Sequence, residues 1–313
     1  MSEPEVSVVI PTRNRETRLR FGLEALAAQT LDRDRFEVIV VRADDMEGPF
    51  CDAPQGLDVR FLAAPPGPAL QRNVGWRAAR GRLIAFTDDD CRATPRWLER
   101  LLASAAGPGD MLQGRTAPDP DERHLLHGRA RSIDIDGIDA FYPTCNIAYP
   151  RALLEEVGGF DEGFPTAWGE DTDLGLRAIE AGATVFFEPE ALSYHAVNAR
   201  TLRQALREAY RRDALPKVFA RHPRHRRAIF LDTFVRRTHA NLALALLGAL
   251  IFRRHRLLGL IAMLPYLRNR RPLAVAAAEA PQILLRLPAR VAIDATEMFA
   301  VGRAAIRYRV PVI

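Results

Sequence analysis

An apolar run, Leu83-Ile84-Ala85-Phe86, empties through Thr87 into three consecutive carboxylates, Asp88-Asp89-Asp90. A short apolar run bounded by polar signals is the mark of a buried strand, and in open α/β sheets ligands collect just beyond the carboxyl ends of such strands. Three adjacent carboxylates repel one another and bury badly, so a divalent cation carrying phosphate oxygens would complete the group. Period-two alternation selects Asp88 and Asp90 as the pair facing one way, with Asp89 turned aside. The triplet is also readable as a solvated acidic turn ahead of the helical stretch that Thr94-Pro95 opens, because carboxylates suit helix starts.

The segments around this run set its context. Val6-Ser7-Val8-Val9-Ile10 predicts a strand ended by Pro11, with Thr12-Arg13-Asn14-Arg15 as the following turn. Leu19, Leu23 and Leu26 predict a helix from Glu16 to about Ala28. Further strands are expected at 36–41 and 59–62, and the Pro/Gly-rich 64–68 opens a helix from Ala69 to Arg80 that Gly81 closes. Strands alternating with helices imply parallel βαβ units, so the first hundred residues form a half-domain of the nucleotide-binding type. No GxGxxG follows the first strand and no Walker loop is present, which argues against a nicotinamide enzyme. Phosphate would instead be held through a metal and by arginines such as Arg13 and Arg72.

Charge divides the chain unevenly. Residues 1–199 hold 21 Arg/Lys and 33 Asp/Glu, whereas 200–271 hold 18 and 3. Lys217 is the only lysine, so the basic character is arginine, the residue suited to bidentate phosphate contacts. Nucleic acid is the obvious partner to weigh, but aromatic interleaving, zinc-finger spacing and a recognition-helix pattern are all missing, and no nucleic-acid partner is expected. Cys51, Cys91 and Cys145 lie far apart without CxxC spacing, which fits a reducing compartment. The acidic start, Met1-Ser2-Glu3-Pro4-Glu5, lacks the basic and apolar regions of a secretory signal, so a cytoplasmic location is expected.

A second constellation runs from Gly158-Gly159-Phe160-Asp161 through Trp168-Gly169-Glu170-Asp171-Thr172-Asp173. The glycine-rich approach delivers Trp168, then Glu170 and Asp171 in the first turn of a helix running to Ala181. Acids there serve as caps, gaining from free N–H groups and the helix dipole. An aromatic face next to a carboxylate is also what a sugar hydroxyl needs, the ring packing the apolar face while the acid accepts the proton.

Six collinear motifs together resemble the family-2 glycosyltransferases of the GT-A fold, over roughly residues 5 to 200. They are Ser7-Val8-Val9-Ile10-Pro11-Thr12-Arg13-Asn14-Arg15; Arg72-Asn73-Val74-Gly75; Asp88-Asp89-Asp90; Thr144-Cys145-Asn146-Ile147-Ala148; Gly158-Gly159-Phe160-Asp161; and Gly169-Glu170-Asp171-Thr172-Asp173-Leu174. The resemblance implies an α/β fold, a Rossmann-like mixed sheet, and inverting transfer of a sugar from a nucleoside-diphosphate sugar to an acceptor hydroxyl. It implies that Pro11, Thr12, Arg13, Asp44, Arg72, Asp88 and Asp89 serve the donor nucleotide. Asp90 would ligate Mg²⁺ or Mn²⁺, with His195 as a further metal or phosphate contact. Asp171 looks like the general base, and Glu170 and Trp168 would shape the acceptor pocket. The acceptor is expected to be a glycan, a lipid-linked intermediate or a small molecule. One departure stands out: relatives commonly carry an acid pair after the second strand, whereas here Val41 is followed by Arg42-Ala43 and the acids arrive late, as Asp44-Asp45. A nucleotidyltransferase of similar fold, or an inactive sugar-binding scaffold, are the rival readings. The first would need a basic, glycine-rich loop that is not evident.

The domain boundary is expected near residue 200, with a GT-A domain at 1–200 and a basic, apolar helical region at 201–313. A basic helical stretch, 201–220, precedes two apolar runs, 241–252 and 257–265, split by Arg253-Arg254-His255-Arg256. Each run is short of the ~20 residues a spanning helix needs, and apolar helices flanked by arginines suit an interfacial hairpin, so the pair is expected to lie on the inner face of the cell membrane. Packing on the protein, or assembly into a homo-oligomer, would use the same faces. The tail reads as one further helix.

Overall fold

The structure is a computed structural model that describes residues 3–46, 51–105, 107, 109–127, 129–164, 168–268 and 280–313, the stretch 280–286 by its backbone alone. Residues 165–167, within the second motif, and 47–50, within the loop after the second strand, lie outside the described residues. The chain separates into two compact units, Met1–Ala199 and Arg200–Ile313.

The first unit is built on one mixed sheet of eight strands: β1 (Val6–Thr12), β2 (Phe36–Ala43), β3 (Val59–Ala64), β4 (Leu83–Thr87), β5 (Cys91–Ala93), β6 (Asp110–Pro118), β7 (Asn146–Pro150) and β8 (Thr184–His195). Their spatial order is β3-β2-β1-β4-β7-β6-β8-β5. The first four are mutually parallel, with Val8 level with Val38 on one side and Ala85 on the other. Beyond β4 the sheet turns mixed, because β7 runs antiparallel to both β4 and β6 while β6 and β8 are parallel.

Alternation along the strands assigns the two faces. Val6, Val8 and Ile10 pack with Leu19, Leu23 and Leu26 of α1 (Glu16–Ala27) and with Trp97, Leu98 and Leu101 of α3 (Trp97–Ser104). Val9, Ile39, Ile84 and Phe86 meet α2 (Pro68–Ala78), α4 (Arg151–Val157) and α5 (Glu170–Glu180) on the opposite face. Every residue of β4 is buried, as expected of a central strand covered by helices on both faces. Glu37, which enters the sheet beside Ser7, is fully buried but accepts hydrogen bonds from the Ser7 hydroxyl at 2.8 Å and the Arg80 backbone at 2.6 Å.

The second unit is helical: α6 (Leu202–Tyr210), α7 (Leu215–Arg221), α8 (Arg237–Ile251), α9 (Arg256–Arg268) and α10 (Ala280–Tyr308). A capping box of Thr201 and Gln204 starts α6, and the single helix expected over 201–220 is broken by a 3₁₀ turn at Arg211–Ala214. Arg212 at 3.2 Å and Arg236 at 3.1 Å converge on the buried Glu297 of α10. Among the described residues no helix is long and apolar enough to cross a membrane.

Candidate active site

The carboxyl ends of β1 and β4 are neighbours, and they bring Thr12 and the acidic triplet to one edge of the sheet. The strand stops at Thr87, so alternation does not reach the three acids; Asp89 and Asp90 form a turn. The expected pairing of Asp88 with Asp90 is therefore overturned in favour of a different partition. Asp89 and Asp90 share one guanidinium, Arg15 Nη1, at 3.0 and 2.9 Å, while Asp88 turns to Arg72 at 3.0 Å. The Thr12 hydroxyl donates to Asp89 Oδ2 at 2.8 Å. Burial first, and the charge of Asp90, push Asp89 up to about 6 against the pull of Arg15.

Asp90 is also reached from β8. Cys91 and His195 are cross-strand partners between β5 and β8, which sets the imidazole beside the carboxylate, His195 Nε2 lying 3.6 Å from Asp90 Oδ1. His195 Nδ1 lies 2.8 Å from the Ala196 carbonyl, which can only accept, so Nδ1 carries the proton. Nε2 is then the ring atom that faces the carboxylate, a pair that a cation between them would join. Asp90, His195 and Cys91 offer ligand atoms that all lie within 4.8 Å of one another. Burial raises the Cys91 thiol well above its ordinary value, and among the three groups the carboxylate and the imidazole suit a hard divalent cation best. That donor set fits Mn²⁺ and accommodates Mg²⁺. Asn198 Nδ2 donates to Asp90 Oδ2 at 3.1 Å.

The second half of the site is carried on α5. Gly169, at φ 94°, turns the chain in a conformation that favours glycine and starts the helix with Glu170 and Asp171. Arg72, 5% exposed, reaches across with Nη1 3.0 Å from Glu170 Oε1. Glu170 Oε2 is buried with no hydrogen-bond partner among the described residues. Burial, with the adjacent Asp171 charge, pushes the Glu170 carboxyl up despite Arg72. Burial raises Asp171 as well, against the pull of the Thr172 N–H that it accepts at 2.8 Å. Both acids therefore hold protons at higher pH than ordinary carboxylates do.

The motifs that were merely collinear in the chain are joined here. Asn73 accepts from the Phe160 N–H and donates to the Phe160 carbonyl, both at 2.9 Å, clamping α2 to the glycine-rich turn. A Cβ on Gly159 would sit 2.6 Å from Asn73 Oδ1, so the close approach requires glycine. Arg177 ties α5 to the same turn by donating to the Gly159 carbonyl at 2.7 Å. Asn146 is a structural pin, donating to the Arg115 and Ala191 carbonyls at 2.7 and 2.9 Å.

The other expected residues are tied to different partners. Arg13 pairs with Asp45, while Asp44 is exposed and donates its backbone N–H to Ala64. Arg42 belongs to β2, and its register partner is Ala63. Pro11 lies within β1 opposite Val41. Trp168 stacks under the Arg131 guanidinium, 5.1 Å from the ring centroid. Sequence reasoning passed over Arg15, Asn198 and Cys91. Arg15 stood inside the first motif and Asn198 three residues after His195, but nothing local distinguishes them.

Two family models match the chain: Glycosyl transferase family 2 over residues 7–158, and Glycosyl transferase family group 2 over residues 83–278. The second takes in more than half of the sequence, and the chain belongs to the family-2 glycosyltransferases. It is similar to the Pre-mycofactocin glycosyltransferase of Mycobacterium tuberculosis, at 30% identity over 71% of this chain and 49% of that protein. It is also similar to Glycosyltransferase AglE of Haloferax volcanii, at 27% identity over 66% of this chain and 71% of the relative. The chain thus spans about half the length of the first of these relatives. Among solved structures it resembles the mannosyltransferase PcManGT from Pyrobaculum calidifontis, with a TM-score of 0.57 and 18% identity over 98% of this chain and 88% of that one. The fold is GT-A, with helices at the C-terminus.

Proposed function

We propose that the chain moves a sugar from a nucleoside-diphosphate sugar to an acceptor hydroxyl, with inversion at the anomeric carbon. The observation that carries this reading is Arg72: one buried guanidinium bonds Asp88, at the donor end of β4, and Glu170, beside Asp171. Donor and acceptor carboxylates are thereby held in one rigid frame, as a displacement needing both partners aligned requires. Thr12, Arg13, Asp44 and Pro11 border the donor side with Asp88 and Asp89. Trp168 and Glu170 border the acceptor.

Asp171 acts as the general base. As the acceptor oxygen bonds the anomeric carbon, its proton passes to the Asp171 carboxylate, and the breaking bond leaves its electron pair on the diphosphate oxygen. Asp90 and His195 would hold Mg²⁺ or Mn²⁺, which when bound neutralises charge developing on the departing diphosphate. Arg15, half exposed and bound to Asp89 and Asp90, contributes a second positive charge at the same edge. Arg72 holds the acids at fixed spacing through the reaction.

The test is calorimetric titration of the purified chain with UDP-, GDP- and dTDP-sugars, with Mn²⁺ and with chelator. GDP-Man and Mn²⁺, which accompany the Pyrobaculum enzyme, are the first pair to try. Metal-dependent binding of one donor, lost in Asp90→Ala, is expected. Absence of any donor binding with metal present would overturn the reading.

A further inference from the structure

The α8–α9 hairpin of the second unit leaves an apolar surface turned to solvent. The two helices approach closely along a seam of small residues: a Cβ on Gly248 would lie 2.8 Å from the Gly259 carbonyl oxygen, and one on Gly259 would lie 2.8 Å from that of Gly248. Leu242, Ala245 and Tyr266 fill the buried side of the pair. Closing the seam with glycines turns the larger side chains outward. Leu250 is 80% exposed, Leu257 72%, Leu264 57%, Leu258 56% and Leu247 55%. A monomer rarely leaves so many neighbouring leucines in water without a use for them.

The turn joining the helices carries Arg253-Arg254-His255, Arg256 opens α9, and all four are exposed. Not one Asp or Glu occurs between Arg237 and Arg268. This charge pattern selects the occupant. A second copy of the hairpin would set one cationic turn against another with no acid to offset it, whereas anionic lipid offers phosphates to the arginines and acyl chains to the leucines. The helices, of 15 and 13 residues, are about 20 Å long, short of the ~30 Å hydrocarbon core, so they lie along the boundary rather than cross it.

We propose that α8 and α9 form a membrane-docking element whose leucine face enters the headgroup–acyl boundary of an anionic bilayer while Arg253, Arg254 and Arg256 engage lipid phosphates. The inference uses the second unit alone and does not depend on the reaction assigned to the first.

Co-sedimentation of the full chain with vesicles tests it, comparing phosphatidylcholine alone with phosphatidylcholine containing phosphatidylglycerol. Binding to the anionic vesicles, weakened by salt, is expected. Leu250→Glu with Leu257→Glu should lower partitioning by roughly tenfold or more, because each change places a charge in the apolar layer. Changing Arg253, Arg254 and Arg256 to Gln should lower it by roughly fivefold per residue on anionic vesicles and weaken the salt dependence. All these side chains are exposed, so circular dichroism should show the fold unchanged. Failure to sediment with anionic vesicles, or partitioning indifferent to the leucine changes, would overturn the proposal. So would a dimer in light scattering that the leucine changes dissolve while vesicle binding is absent, since the face would then be a contact between copies.

Discussion

Arg72 and Glu170, 98 residues apart in the chain, meet in a buried hydrogen bond of 3.0 Å. The same guanidinium also holds Asp88, so a single side chain spans the two acidic motifs. Removing it strands a carboxyl group in the interior. Arg72→Ala should cost about 3 kcal/mol of stability, read by chemical denaturation, and transfer should fall with it. Arg72→Lys supplies a charge but not a planar fork, so it should recover part of the stability and little of the rate. A lysine variant matching the parent in both would refute the bridging role.

Asp171→Asn keeps the shape and removes the proton acceptor. Transfer should drop by roughly 10²- to 10⁴-fold while calorimetric donor binding stays as in the parent. Unchanged turnover would sink the assignment of the base.

The pH dependence follows from burial at α5. Asp171 must be ionised to accept a proton, and its raised value moves the acid limb of the rate profile above the usual carboxylate range. For stability the sign is opposite. Carboxyls held protonated by the fold contribute most below their unfolded values near 4, and that contribution is lost as pH rises through the folded ones. Glu170→Gln, which mimics the protonated acid, should therefore gain stability relative to the parent as pH rises. Denaturation across that range checks it.

Metal binding should depend on Asp90 and His195. Chelator should abolish transfer, and Mn²⁺ titration followed by calorimetry should weaken by roughly tenfold or more in His195→Ala. Cys91→Ser should change little, because Mn²⁺ and Mg²⁺ favour oxygen and imidazole donors over a thiol.

Glu37 controls acid stability independently of the site. Burial acts to raise it, but hydrogen bonds from the Arg80 backbone, Ser7 and the Arg80 side chain outweigh burial and hold the carboxyl below its ordinary value. The stability it contributes is present above that value, 4.5, and lost as pH falls through the folded one. Glu37→Gln should be clearly destabilised at neutral pH, with the gap to the parent closing in acid.

Much of the molecule was legible in the chain because the information is local. Short apolar runs marked β1, β2 and β4, and the six motifs marked the family, since burial leaves patterns that survive in one dimension; the helix expected to run to Arg80 and close at Gly81 ends two residues earlier, at Ala78. Two short helices split by a cationic turn were likewise visible in their leucine runs.

The pairing of charges was not legible. Alternation grouped Asp88 with Asp90, but the strand ends at Thr87, and the turn hands Asp89 and Asp90 to Arg15 and leaves Asp88 to Arg72. Arg15 and Asp89 are 74 residues apart, and His195 reaches Asp90 only because β8 pairs with β5 at Cys91. Local patterning marked the first four strands and the helices between them, but left β5, β6, β7 and α4 unread. Which carboxylate meets which cation was decided only when the sheet order brought distant strand ends to one edge, because an ion pair depends on separation in space and carries no period along the chain.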